Sequence, residues 1–97
     1  MAYPDYMDPV EQEIIDRIIK YVLAAGHTIW VEDGEEILLK RSTDYEAITA
    51  EIAATCETTL IIESTDGVGH IWLIHGNGCD VVSDWTSSAE PFLTEAF

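Results

Sequence analysis

Acidic side chains dominate the chemistry available to this sequence. Nineteen aspartates and glutamates stand against four lysines and arginines in 97 residues, so the formal net charge is −15. Direct binding of duplex nucleic acid needs cationic contacts and is therefore excluded, and an anionic membrane is disfavoured for the same reason. The charge instead indicates a basic partner, such as a protein or complex that itself binds nucleic acid.

The acids concentrate near the N-terminus and in the segment 32–36, where four of five residues are acidic. Two carboxylates about 7 Å apart in water repel each other by about 0.6 kcal/mol, and a cationic partner would relieve that repulsion. We expect the first helix and this segment to form the contact surface. The predicted partner-binding residues are Glu11, Glu13, Asp16, Trp30, Glu32, Asp33, Glu35 and Glu36.

The histidines and cysteines follow no recognised metal-binding spacing. Their separations match no zinc pattern, and no Cys-x-x-Cys pair is present. We expect reduced thiols, with a bridge between the two cysteines as the alternative. The residues concerned are His27, Cys56, His70, His75 and Cys79.

The segment Gly76-Asn77-Gly78 resembles part of a phosphate-binding loop. It lies between two strand-like runs and no helix follows it, so a hairpin turn is the better interpretation. A two-residue turn there would place His75 opposite Asp80, and such a pair is more often a surface ion pair than a catalytic dyad. We therefore predict no enzyme activity, no catalytic residues, no metal and no cofactor.

The segment Asp8-Pro9-Val10-Glu11 predicts the start of a helix, because it combines an N-cap aspartate, a proline at the first position and a capping-box glutamate. The helix should extend to about Ala25 and end at Gly26. Helical spacing predicts a buried face of Val10, Ile14, Ile15, Ile18, Ile19, Val22 and Leu23. The exposed face should carry Glu11, Glu13, Asp16, Arg17 and Lys20.

Two strand-like runs, His27–Glu32 and Glu36–Arg41, flank the hairpin dipeptide Asp33-Gly34. The sequence is compatible with two registers of this hairpin. A two-residue turn places Trp30 beside Ile37, whereas a three-residue loop aligns four apolar residues on one face. Those four are Ile29, Val31, Ile37 and Leu39.

A second capping box, Thr43-Asp44-Tyr45-Glu46, predicts a shorter helix that extends to about Thr55. Three more strands follow, with tight turns at Asp66-Gly67 and Asn77-Gly78. The predicted strands are Thr59–Glu63, His70–His75 and Cys79–Trp85. The order α-β-β-α-β-β-β predicts one α+β domain over residues 1–97: a mainly antiparallel five-stranded sheet with two helices on one face, and an optional short helix within 89–97.

Three tryptophans, Trp30, Trp72 and Trp85, lie in predicted strands. We expect them to pack the sheet against the helices, with an exposed interface as the alternative. The strands around Ile71–Ile74 and Ile37–Leu39 look apolar on both faces, so two helices should cover the sheet incompletely. An uncovered face would mark a partner surface or a homodimer interface.

The acidic N-terminal segment is unlike a targeting peptide, and no apolar run approaches the ~20 residues that span a bilayer. We expect a cytoplasmic protein that does not enter membranes.

Three stretches of the chain resemble small accessory proteins encoded by phages and prophages of Proteobacteria. They are residues 22–36, 40–45 and 72–84. The resemblance implies a phage context, and hence the cytoplasm of an infected bacterial host, and carries no catalytic residues. By size and charge alone, the chain is also similar to phage-encoded uracil-DNA glycosylase inhibitors, anti-restriction DNA mimics and anti-CRISPR proteins.

Together these patterns predict an inhibitor that mimics nucleic acid and occupies a Lys/Arg-lined site on a host defence complex, with a CRISPR effector or a restriction complex as the target. The alternative is an acidic structural or assembly module that dimerises through the sheet face around Trp30 and Trp72.

Overall fold

The computed structural model of the protein describes residues 8–54, 57–65, 67–76 and 78–95. Short 3-10 turns at Gly78–Asp80 and Ser87–Ala89 precede the last strand and the last helix. None of the helices in the described ranges is long and apolar enough to cross a bilayer. The elements are α1 (Pro9–Ala24), β1 (Thr28–Glu32), β2 (Ile37–Ser42), α2 (Tyr45–Ala53), β3 (Glu57–Ser64), β4 (Gly67–Ile74), β5 (Val82–Trp85) and α3 (Glu90–Glu95).

The five strands form one sheet in the order β2-β1-β3-β4-β5, and every neighbouring pair is antiparallel. Strands β1 and β3 lie side by side although β2 and α2 separate them in the sequence. The predicted α+β class, with a five-stranded antiparallel sheet and a short C-terminal helix, is confirmed.

The core lies between one face of the sheet and the helices. Alternate residues of β1 and β4 are buried, as expected when one face of a strand is covered and the other is not. In the central strand β3, Thr59 is buried as well as Thr58, Leu60 and Ile62. The helices contribute buried aliphatic side chains at helical spacing. The core residues are Ile15, Ile18, Ile19, Val22, Ile29, Val31, Ile48, Ile52, Leu60, Ile62, Ile71, Leu73, Val81, Ala89 and Phe92.

Helix α1 begins as predicted. The Asp8 carboxylate accepts a hydrogen bond from the Val10 amide at 3.0 Å, and Pro9 occupies the first turn. Gly26 follows the helix with φ 86°, a left-handed conformation that favours glycine. Val10, predicted to be buried, is instead exposed because it stands in the first turn, beyond the edge of the core.

The prediction that Glu11 lies on the exposed face of α1 is wrong. Its side chain is only 1% exposed. The carboxylate accepts hydrogen bonds from the backbone amides of Gly76 at 2.9 Å and Gly78 at 3.3 Å. A buried carboxylate needs such donors, and the loop after β4 provides them. Glu11 therefore ties the start of α1 to that loop and is not available to a partner.

Replacing Glu11 with alanine should lower the free energy of unfolding by about 2 kcal/mol, because two loop amides lose the buried carboxylate that accepts their hydrogen bonds. Urea denaturation would measure this as a lower midpoint. The matched control is Glu13→Gln on the exposed side of α1, which we expect to change stability by less than about 0.5 kcal/mol. Equal effects of the two substitutions would contradict the structural role of Glu11.

The hairpin between β1 and β2 adopts neither predicted register. Four residues, 33–36, separate the two strands, Glu32 pairs with Ile37, and Val31 pairs with Leu39. The Asp33 amide donates to the Glu36 carbonyl at 3.2 Å, which closes the wider loop.

Two other predicted boundaries also shift. The N-cap of α2 is Asp44 and not Thr43, because the Asp44 carboxylate accepts from the amides of Glu46 and Ala47. The last strand begins at Val82 and not at Cys79, since Gly78–Asp80 forms a 3-10 turn. The turn residues Asp66 and Asn77, the thiol Cys56 and the C-terminal Phe97 lie outside the described residues.

The C-terminal segment docks on β4 through a close backbone approach. A Cβ atom added to Gly69 would lie 3.0 Å from the Cβ of Ala89 and 3.1 Å from its amide nitrogen. Next to this contact, the Thr86 amide donates to the His70 carbonyl, and the Ser88 hydroxyl donates to the Val68 carbonyl. Gly69 is therefore required for the segment that carries α3 to reach the sheet.

Substituting Gly69 with alanine should lower the free energy of unfolding by about 1–3 kcal/mol, because the new methyl group overpacks this contact. Thermal or urea denaturation would measure the loss. Adding Ala89→Gly removes one of the clashing atoms and should restore part of the stability. Full stability in Gly69→Ala would contradict the close approach.

Candidate partner-binding surface

One face of the sheet is not covered by the helices. We call it the open face; its residues alternate along each strand with the core residues. Cross-strand pairing arranges them in rows, because directly opposed residues of antiparallel strands lie on the same side. One row is Glu32, Thr59, Trp72 and Asp84, and the next is Trp30, Ile61 and His70.

A tryptophan, a glutamate and an arginine form a closed cluster on one side of the open face. The Arg41 guanidinium carbon lies 5.7 Å from the centre of the Trp30 ring, a cation–π arrangement. Glu63 accepts hydrogen bonds from the Trp30 indole N–H and from Nε of Arg41, the latter at 3.2 Å. Each of the three side chains thus contacts the other two.

A β-bulge aims Arg41 at this cluster. Ile29 pairs with Ser42 and Val31 with Leu39, so β2 contains one more residue than β1 between these pairs. Arg41 lies within the bulge at φ 45°, an uncommon conformation for a residue with a side chain. The bulge redirects the guanidinium across Trp30, which a regular strand alternation would not specify.

A second tryptophan, Trp72, lies at an open cleft of about 470 Å³. His70 stacks on its ring at 5.7 Å between centroids and 17° between planes. The cleft lies on the side of the Trp72 ring away from His70, because Trp72 and Ile74 line the cleft and His70 does not. The acidic residues that line the cleft are Glu32, Asp33, Glu57 and Asp84.

The hairpin loop adds acids at the same end of the sheet. Asp33 accepts hydrogen bonds from the amides of Glu35 and Glu36, both at 2.9 Å. These bonds, that from Glu36 first, hold the pKa of the Asp33 carboxyl below its ordinary value. Asp33 therefore shapes the loop while keeping its charge, whereas Glu35 and Glu36 are exposed.

The acids of α1 are engaged with their own neighbours. Arg17 donates to Glu13 at 3.3 Å. Asp16 accepts from the Tyr45 hydroxyl at 2.6 Å, and Lys20 lies 3.9 Å from its other oxygen. Together with the burial of Glu11, these contacts distinguish the acids of α1 from those of β1 and the hairpin. The sequence pattern predicted that both sets belong to one contact surface.

The expectation that the tryptophans pack the sheet against the helices is wrong for Trp30 and Trp72. Trp72 is 37% exposed, and Trp85, although on the helix side, is 42% exposed. Trp30 and Trp72 stand on the open face, where no helix packs. Trp85 lies on the other side of β5, in an apolar groove beside α1 and α3. Strand β5 is short and is the edge strand of the sheet, so no further strand covers this groove.

Four residues of the surface were missed from the sequence: Arg41, Glu57, Glu63 and Asp84. The alternation Glu57, Thr59, Ile61, Glu63 along β3 was the available signal, because it separates these residues from the buried Leu60 and Ile62. No local pattern indicates the bulge that brings Arg41 to Trp30.

His75 does not pair with Asp80. Its Nε2 atom lies 3.1 Å from the Thr58 hydroxyl, and Asp80 belongs to the 3-10 turn. Partial burial lowers the pKa of His75, and the Glu11 carboxylate and the Ile52 backbone oppose that shift only in part. Among the described residues, no three acidic, histidine or cysteine side chains are arranged to hold a metal ion. Cys79 is exposed.

The lowered pKa of His75 predicts a pH dependence of stability. The unfolded state takes up this proton at about pH 6.5, before the folded state does. The contribution of neutral His75 to the free energy of unfolding is therefore complete above that pH, and it is lost as the pH falls through the lower pKa of the folded state. Urea midpoints of the unmodified protein should fall more steeply from pH 7.5 to 5.5 than those of His75→Gln. Parallel curves would contradict this prediction.

No family model, curated protein or solved structure matches the chain.

Proposed function

We infer that the protein is a non-catalytic inhibitor that occupies a Lys/Arg-lined site on a nucleic-acid-binding complex, as an acidic mimic of nucleic acid. The observation that carries this inference is the set of unneutralised carboxylates at one end of the open face. Glu32 and Glu57 lie on adjacent strands at diagonal positions, which places them about 7–8 Å apart, and Asp84 lies across Trp72 in the same cleft.

The few bases of the chain do not neutralise these acids. Within the described ranges, the ion pairs are Glu13–Arg17, Asp16–Lys20 and Glu63–Arg41. None of them includes Glu32, Glu57 or Asp84. The bases lie on α1 and on the Trp30 side of the sheet, so the cleft end keeps its full negative field.

A rigid sheet is a suitable support for such a field. Nucleic-acid-binding proteins grip phosphates with lysines and arginines held in a cleft, and a surface with fixed carboxylates can enter the same cleft. The resemblance of the sequence to phage accessory proteins supports a bacterial defence complex as the target, and a CRISPR effector complex is the first to test.

An acidic module that dimerises is the second candidate. The observation that favours it is the largely apolar groove whose lining includes Ile14, Cys79, Val82, Trp85 and Leu93. This groove differs from the Trp30 and Trp72 face expected from the sequence. Sedimentation would reveal a stable dimer, which is the result that this candidate requires.

The inhibitor proposal predicts that the Glu32→Gln, Glu35→Gln, Glu36→Gln triple variant binds its target about tenfold or more weakly, because three carboxylates that face cations lose their charge. The measurement is equilibrium binding to a purified CRISPR effector complex, taken from a host whose defence the protein blocks. Binding should weaken between about 50 and about 200 mM salt, and the DNA target of the complex should displace the protein.

The matched control is a second triple variant that removes the same number of charges from the helices: Glu13→Gln, Glu51→Gln and Glu90→Gln. It should retain most of the affinity, because those acids lie away from the cleft. Equal losses in both variants would reject the surface assignment. Binding that is insensitive to salt and to competing DNA would reject mimicry.

A further inference from the structure

Two tryptophans of the open face stand in similar settings, and within the described ranges only one of them has a cation over its ring. Trp30 has a glutamate at its indole N–H and an arginine over its ring, both from the chain itself. Trp72 has carboxylates around it and one ring side at the cleft. Among the described residues, the ring-stacked cations lie on Trp30 and Tyr45, and none lies on Trp72.

We propose that the cleft at Trp72 receives an arginine side chain of the basic partner, with its guanidinium stacked on the indole and hydrogen-bonded to the carboxylates of Glu57 and Asp84. This inference rests on the proposed function, because it names the group by which the partner is anchored. The Arg41 cluster is the precedent within the same sheet: there, a guanidinium, an indole and a carboxylate contact each other in pairs.

The geometry of the cleft suits a guanidinium. Trp72 is stacked on His70 on one side, so its ring is held in place and presents its other side to the cleft. The acids enter from different strands, Glu57 from β3 and Asp84 from β5, on either side of β4. A planar, forked cation can stack and donate to both sides, whereas an ammonium is a compact point charge.

Charge complementarity favours a basic protein over a second copy of this chain. A twofold contact through the open face would bring the same surface of each copy together. Glu32, Glu57 and Asp84 would then face the same acidic surface of the other copy, in a chain that already carries a net charge of −15. An arginine-bearing partner would neutralise these carboxylates instead.

The test uses three synthetic peptides, hexaarginine, hexalysine and the uncharged hexacitrulline, titrated into the full chain. The readout is the NMR signal of the Trp72 indole N–H, which is identified by its loss in Trp72→Leu. Hexaarginine should move this signal and bind at least about threefold more tightly than hexalysine. Hexacitrulline should leave the signal unmoved.

Two variants and a control locate the contact. Trp72→Leu should reduce the affinity for hexaarginine to that for hexalysine. Glu57→Gln changes an exposed position and should weaken hexaarginine binding without disturbing the Trp72 ring. Trp85→Leu changes a comparably exposed tryptophan outside the cleft and should leave the affinity unchanged.

Equal affinities for hexaarginine and hexalysine, both salt-sensitive, would overturn the arginine anchor and leave the proposed function standing. Movement of the Trp72 signal with protein concentration, in the absence of peptide, would identify a second copy as the occupant and overturn the anchor as well. If the peptide titrations confirm the arginine anchor while DNA fails to displace the protein from the effector complex, that combination would overturn the proposed function alone.

Discussion

The helices of this protein pack against one face of its sheet, and the remaining features of the surface follow from that constraint. Helices of 16, 9 and 6 residues bury the aliphatic residues of β1, β3 and β4. The hydrophobic contact on this side holds the sheet in place. Because strand residues alternate between faces, every core residue fixes the position of a neighbour on the other face. The core thus fixes the positions of the open-face residues, although none of the described helices covers that face.

The distribution of charge depends on the same arrangement. Arg17 and Lys20 lie one helical turn from Glu13 and Asp16, and Arg41 is turned onto Glu63 by a bulge. Local pairing therefore uses three of the four bases at positions away from the Trp72 cleft. The repulsion among the carboxylates that remain works against folding, and the large aliphatic core offsets it. Such a surface has most to gain from a cationic partner.

Acidic residues of this protein have different roles, which burial and hydrogen bonding distinguish. Asp8 and Asp44 cap helices, Asp33 closes a hairpin loop, and Glu11 is buried where it binds two loop amides. These groups accept hydrogen bonds from the backbone and stabilise the fold. The net charge of −15 consequently overstates the number of carboxylates that can contact a partner. Those without an assigned structural role, such as Glu32 and Glu57, are the ones that define the candidate surface.

Local patterns in the sequence were sufficient for the elements, the α+β class and the incompletely covered sheet, because capping residues, helical spacing and turn glycines act over a few residues. They also indicated the acidic hairpin. Tertiary structure decided the rest. Glu11 looks exposed on a helical wheel, and its burial depends on a loop 65 positions later in the chain. Arg41 reaches Trp30 through a bulge, and Trp72 meets Glu57 and Asp84 only through strand pairing. Those contacts join residues distant in sequence, so no local pattern encodes them.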